Sequence, residues 1–427
     1  MNVILLRAVV AGTLSLAVVL TGPSVSLGQT GKRAKPGANT PVDGSVPRDF
    51  RSQRFLVHAD LTDAEAKELL LRLEKMYDLI GGYWGRRLKP GEIVEMYVVK
   101  KLENWPPGAI PADGLPHIQT GGGVTQTQSL SQRGPQGERL HVAARTICFA
   151  VYQQGTPLHE AVHAFCGLTF GHLGPTWYSE GMAEMGSYWR EKDNSVQLDP
   201  VVLDYLQKNS IKSLNAIINN SEQTGDSWQN YSWRWALCHL LANNLNYREK
   251  FRPLGLDLLT ERPNSFEKVY GAMAAEISFE YKQFIATIDN GYRVDLTAID
   301  WKKKFLQLHG KATISSTVLA NRGWQPTQVQ VEPVKQYAFA ATGKWTLAKG
   351  SPSLTAAGDD QGNGRLMGAI LAKDLNGEYT LSEPAMLGAE GTYSPSVAGK
   401  LFVRCQDKWG ELADNQGRVT LKIKLAD

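Results

Sequence analysis

The chain has 427 residues, 42% of them hydrophobic and 21% charged, with a formal net charge of +4. That length is enough for two or three domains with cores of their own, and so ordinary a composition excludes a mostly disordered or fibrous protein. The charge is small for the length and no run of Lys and Arg builds a basic face, so nucleic acid is not expected as a partner.

Arg7 is followed by an apolar run over residues 8–20 and then by small and turn residues through Gly28. One basic residue, a short apolar core and a small-residue stretch predict a secretory signal peptide over 1–28. The run falls short of the about 20 apolar residues that span a bilayer, so no stable membrane span is expected after cleavage. No Cys lies near the cleavage region, which argues against a lipid anchor, and the expected location is secreted or periplasmic. The four cysteines are Cys148, Cys166, Cys238 and Cys405. A Cys148–Cys166 bridge is conceivable in an oxidising compartment, but none of the four has metal-site spacing, and buried small hydrophobes are the expectation.

Residues 29–52, rich in Gly, Pro, Lys and Arg, are read as a linker. A short strand is expected at 54–58. An amphipathic helix over 63–77 follows, capped by Thr62 or Asp60, with Leu69, Leu70, Leu73, Met76 and Tyr77 recurring at helical steps. A strand at 93–99 is separated from another at 143–151 by a loop holding Pro106-Pro107-Gly108 and Gly121-Gly122-Gly123. From 157 to about 308 the pattern is helical. Beyond about 311, frequent glycines and alternating stretches such as 328–331 and 419–425 predict an all-β domain.

The run Leu158-His159-Glu160-Ala161-Val162-His163 contains His-Glu-x-x-His. On a helix the two histidines share a face and can converge on one zinc ion, while Glu160 stands beside the metal as a base for water. Gly and His three and six residues after the second His would mark a metzincin, but Cys166 and Thr169 stand there. His172 is close but sits in a Gly-flanked loop. Glu180 is the better third ligand, because Gly174-Pro175 ends one segment and a helix starting near Thr176 can turn it back toward the first. Two His and one Glu leave the fourth zinc position free, as catalysis requires.

His159 to His163, followed by Trp177-Tyr178-Ser179-Glu180-Gly181-Met182-Ala183, resembles the gluzincin, thermolysin-like peptidase signature. The resemblance spans about 50–300 and is specific over 158–184. It implies His159, His163 and Glu180 as zinc ligands, Glu160 as general base, and a peptide or protein substrate. Glu184, one turn beyond Glu180, would orient a ligand histidine. Such peptidases also present a Tyr or His to the oxyanion, and the segment 230–241 offers Tyr231, with His239 second. No Gly-x-Met-Glu-Asn motif supports an aminopeptidase.

Residues from about 317 to 425 resemble the galactophilic PA-I lectin-like β-sandwich, through 318–321, 340–345, 368–372, 399–403 and 407–417. That resemblance implies calcium held by side-chain oxygens of Asp407, Asp414 and Asn415 and a backbone oxygen of Glu411, with a cell-surface glycan as partner. Asp414 stands where the family has Asn, and the loop after Trp345 does not match the family's sugar-contacting loop. The expected fold is therefore an α+β zincin-like catalytic domain over 53–309, a small sheet plus a mostly helical part, followed by an all-β sandwich over 310–427. The competing reading is an inactive zincin fold that works as a glycan- or surface-binding module.

Overall fold

In the computed structural model the described residues are the backbone of 5–10 and residues 46–135, 139–153, 155–190, 192–219 and 228–426. Two compact units emerge. The first comprises Met1–Trp189, Ser221–Ser227 and Gly255–Asn264, and the second Arg190–Asn220, Trp228–Leu254 and Ser265–Asp427. Most of the expected signal peptide and linker lies outside the described residues.

The first unit contains β1 (Leu5–Val10), β2 (Arg48–Arg51), β3 (Phe55–Ala59), α1 (Asp63–Trp84), β4 (Val94–Val99), α2 (Leu115–Gln119), β5 (Gly123–Arg133), β6 (Arg139–Val151), α3 (Thr156–Phe170) and α4 (Thr176–Tyr188). The strands form one sheet in the order β1-β5-β6-β4-β3-β2. The β3–β4 and β4–β6 pairs are parallel and the others antiparallel. Two expectations are corrected. Strand β2 falls within the stretch read as linker, and β5 with the first half of β6 forms a hairpin where a loop was expected.

Helix α1 starts where the sequence said. The Thr62 hydroxyl accepts from Glu65 N and the Glu65 carboxylate accepts from Thr62 N, two free helix-end donors satisfied reciprocally. Asp60 does other work, accepting from the backbone N–H groups of Lys100 and Lys101 at 2.7 and 2.8 Å. Leu69, Leu73, Met76 and Tyr77 of the predicted stripe are buried, while Leu70 is only partly so. The helix packs on α3: the Tyr77 hydroxyl donates to Ala161 O at 2.9 Å, and the Phe165 ring lies edge-on to Tyr77 and stacked on Trp84. Burying Phe165 alone stabilises the fold by roughly 1.5–3 kcal/mol.

Among the described residues of the second unit are helices α5 (Pro200–Lys208), α6 (Leu214–Ile218), α7 (Trp228–Asn243), α8 (Arg248–Leu259, whose last residues belong to the first unit), α9 (Phe266–Tyr270), α10 (Ala274–Ala286) and α11 (Val294–Thr297). They precede β7 (Leu306–Gln307), β8 (Thr313–Leu319), β9 (Gln325–Val331), β10 (Tyr337–Thr346), β11 (Leu366–Lys373), β12 (Tyr379–Leu381), β13 (Ala385–Met386), β14 (Glu390–Tyr393), β15 (Gly399–Cys405) and β16 (Gln416–Leu425). One sheet runs β14-β10-β16-β8, the other β12-β11-β15-β9-β7 with β13 beside β11. Val318, Val329, Trp345, Ile370, Val403 and Leu421, from both sheets, share one core, as a sandwich requires. A second cluster joins Phe279 of α10 and Ile299 to Trp324, Leu371 and Phe402. The predicted junction at 309/310 thus lies inside the second unit.

All four cysteines are buried and none forms a disulfide, so the Cys148–Cys166 bridge is not made. Among the described residues no helix is long and apolar enough to cross a membrane.

Candidate metal centre and active site

Helix α3 is small and apolar enough to be buried almost all round, and it ends at Gly171, whose left-handed backbone (φ 69°) suits glycine. Helix α4 restarts after Gly174-Pro175 and lies close against α3. A Cβ on Gly186 would sit 2.2 Å from Val162 Cγ2, so only glycine permits that approach.

The approach brings three ligand-type atoms together. Glu180 Oε2 lies 3.2 Å from His159 Nε2 and 3.4 Å from His163 Nε2, and the two nitrogens are 3.1 Å apart. All three residues are buried, Glu180 to 2% exposure, so the carboxylate cannot stay ionised without a cationic partner. Among the described residues this is the one group of three or more His, Cys, Asp or Glu able to hold a metal ion. Atoms about 2.0–2.1 Å from a common tetrahedral centre stand roughly 3.3 Å from one another, and the observed triangle has edges of that size.

The other ring nitrogens are occupied. His159 Nδ1 lies 3.0 Å from Glu184 Oε1, and His163 Nδ1 is 3.3 Å from Ser179 Oγ. A carboxylate only accepts, so His159 Nδ1 donates its proton to Glu184, and with a metal bound in place of the Nε2 proton the ring would offer the Nε2 lone pair to the centre. Burial opposes the charged form of His159, but Glu180 and Glu184 outweigh it and hold the imidazole well above its ordinary value. Burial likewise pushes Glu180 up, and His163 and His159 outweigh it to keep this carboxyl well below the usual range.

Glu160 projects toward β5. Its Oε2 accepts from the Thr125 hydroxyl at 2.7 Å, and its backbone oxygen lies 2.9 Å from the same hydroxyl. A Cβ on Gly123 would come within 2.7 Å of Glu160 Oε1. Burial raises this carboxyl above its ordinary value, the direction that suits a group taking up a proton near neutrality. Sequence reasoning missed Thr125 and Ser179. The first lay in the presumed loop, and the second is a small residue inside the Trp177 to Ala183 run that carries no signal of its own.

His172 is turned to Glu261 at 3.3 Å and accepts from Gly174 N, outside the His–His–Glu group. Tyr231 and His239 belong to α7 in the second unit. The Arg234 guanidinium lies 5.7 Å over the Tyr231 ring. His239 is stacked against Trp235 and Phe284, and burial pushes its imidazole down to about 4. In the sandwich, Asp407 Oδ2 and Asn415 Oδ1 are buried without a hydrogen-bond partner, whereas Asp414 is exposed.

No family model matches the chain, and no curated protein matches it. Among solved structures it is similar to the N-terminal domain of EclA, a PllA-like lectin, at 16% identity and a TM-score of 0.22, with 26% of this chain and 95% of that chain covered.

Proposed function

We propose that the chain is an exported zinc-dependent peptidase of the gluzincin kind that hydrolyses peptide bonds in a peptide or protein substrate. The observation that carries this is the buried triangle of two imidazole nitrogens and one carboxylate oxygen, with the edges of a tetrahedral face and with Glu160 beside it. The donor set suits zinc, and His159, His163 and Glu180 would hold it. When bound, zinc supplies the electrophile that polarises the scissile carbonyl and acidifies a water. Glu160 takes the proton of the attacking water and returns it to the leaving amine. Glu184 and Ser179 fix the two imidazole rings. Tyr231 is assigned the hydrogen bond to the developing oxyanion.

The experiment is metal titration of the full chain against a broad peptide library. Hydrolysis lost on chelation and regained at one zinc per chain is expected. A protein that binds zinc and cleaves nothing is instead a binding module.

A second cation belongs to the same proposal. Buried oxygens of Asp407 and Asn415 without hydrogen-bond partners are what a hard cation takes, so calcium is assigned to them, with Asp414 as a further oxygen donor and a cell-surface glycan as partner. Calorimetric calcium binding that disappears in Asp407→Ala is the expected result. Equal binding by the two proteins removes the assignment.

A further inference from the structure

We propose that Thr125 is a positioning residue that holds the Glu160 carboxylate in the place from which it handles protons, an inference that rests on the peptidase reading. Strand β5 presents a buried row of hydroxyls at alternate positions, Thr125, Thr127, Ser129 and Ser131. Their partners differ. Thr127 shares a hydrogen bond with Thr146, and Ser129 donates to the Gly171 carbonyl at the end of α3. Thr125 reaches a carboxylate, at 2.7 Å from Glu160 Oε2.

A hydroxyl has one hydrogen to give. Thr125 also stands 2.9 Å from the Glu160 backbone oxygen, but the carboxylate contact is shorter, and bonds to charged acceptors are about twice as strong as neutral ones. With Oε2 held, Oε1 is the oxygen left to take up a proton. It lies against Gly123, where a Cβ would come within 2.7 Å of it and only a glycine leaves the oxygen its place. The hairpin thus restrains one carboxylate oxygen with a hydroxyl and leaves room for the other with a glycine.

The test compares Thr125→Val, which keeps the branched shape without the hydroxyl, with Thr125→Ser, which keeps the hydroxyl. Each full-length, zinc-loaded protein is assayed for kcat and KM, zinc content and melting temperature, and a crystal structure of zinc-free Thr125→Val is determined. Thr125→Val should lose kcat by roughly 10- to 100-fold with KM and zinc content unchanged and a melting temperature lowered by only a few degrees, about what one lost buried hydrogen bond removes. Thr125→Ser should stay within about 3-fold of wild type by keeping that hydrogen bond. In the crystal the Glu160 side chain should leave its place while His159, His163 and Glu180 stay in theirs. Full activity in Thr125→Val overturns the proposal, and so does a loss of zinc or fold in both variants, which would make Thr125 a packing residue only. A wild type that binds zinc without hydrolysing peptides removes the peptidase reading alone. The position of Glu160 in Thr125→Val then still decides whether this hydroxyl holds it.

Discussion

Glu184 Oε1 stands 3.0 Å from His159 Nδ1, on the same helix as Glu180 and one turn beyond it. One helix therefore supplies both a candidate ligand and the group that orients another. Replacing Glu184 with Ala frees the ring to rotate and lowers its basicity. Zinc binding should weaken roughly 10- to 100-fold, read by competition with a chromogenic chelator. Unchanged affinity would mean that Glu184 is an ordinary helix residue.

Gly123→Ala tests the other side of the site. The added methyl group would meet Glu160 Oε1 at 2.7 Å and the Phe149 carbonyl oxygen at 2.8 Å. One neighbour is a side chain that can swing and the other is backbone that cannot. Hydrolysis should fall at least 10-fold and the protein should be less stable by about 1–3 kcal/mol, while zinc still binds. Activity and stability equal to wild type would show that the strand shifts freely.

Glu280 governs a pH response independent of the peptidase chemistry. Its buried carboxylate accepts from Asn244, Asn246, Tyr247 and Trp301, yet burial still pushes it up to about 7 from 4.5. A carboxyl with a folded value above its unfolded one favours the fold while protonated. Its contribution is therefore whole below about 4.5 and lost as pH rises through about 7. The full swing is on the order of 3 kcal/mol. Urea unfolding across that window should show a shallower fall in Glu280→Gln than in wild type. Parallel curves would remove Glu280 as the titrating group.

Tyr231→Phe removes the hydroxyl assigned to the oxyanion. The expected loss in kcat is roughly 100-fold, with zinc content and melting temperature kept. An unaffected kcat returns Tyr231 to a packing role beneath Arg234.

Helix α1 was legible because its buried residues are apolar at helical spacing and Thr62 with Glu65 spells a cap. Histidines four apart, with Glu180 after a Gly-Pro break, were legible for the same local reason, since α3 and α4 are neighbours in sequence. Strand β5 was not legible. Its buried face is Thr125, Thr127, Ser129 and Ser131, so the alternation sets hydroxyl against glutamine rather than apolar against polar. Thr125, Thr127 and Ser129 can be buried because each finds a partner across the chain, which no local pattern reveals. Strand β2 was hidden in a stretch whose Pro and Arg content looked like linker. The 309/310 junction lies inside the second unit, where Phe279 and Ile299 pack with Leu371 and Phe402 of the sandwich, a long-range relationship that no local pattern carries.

The most direct measurement is zinc content and peptide hydrolysis for the wild type beside Glu160→Gln. About one zinc in each protein is expected, with hydrolysis in the wild type and a loss of at least 1,000-fold in the variant, since the ligands are untouched and the base is gone. Equal hydrolysis by the two proteins, or no zinc in either after loading, would contradict the assignment of His159, Glu160, His163 and Glu180.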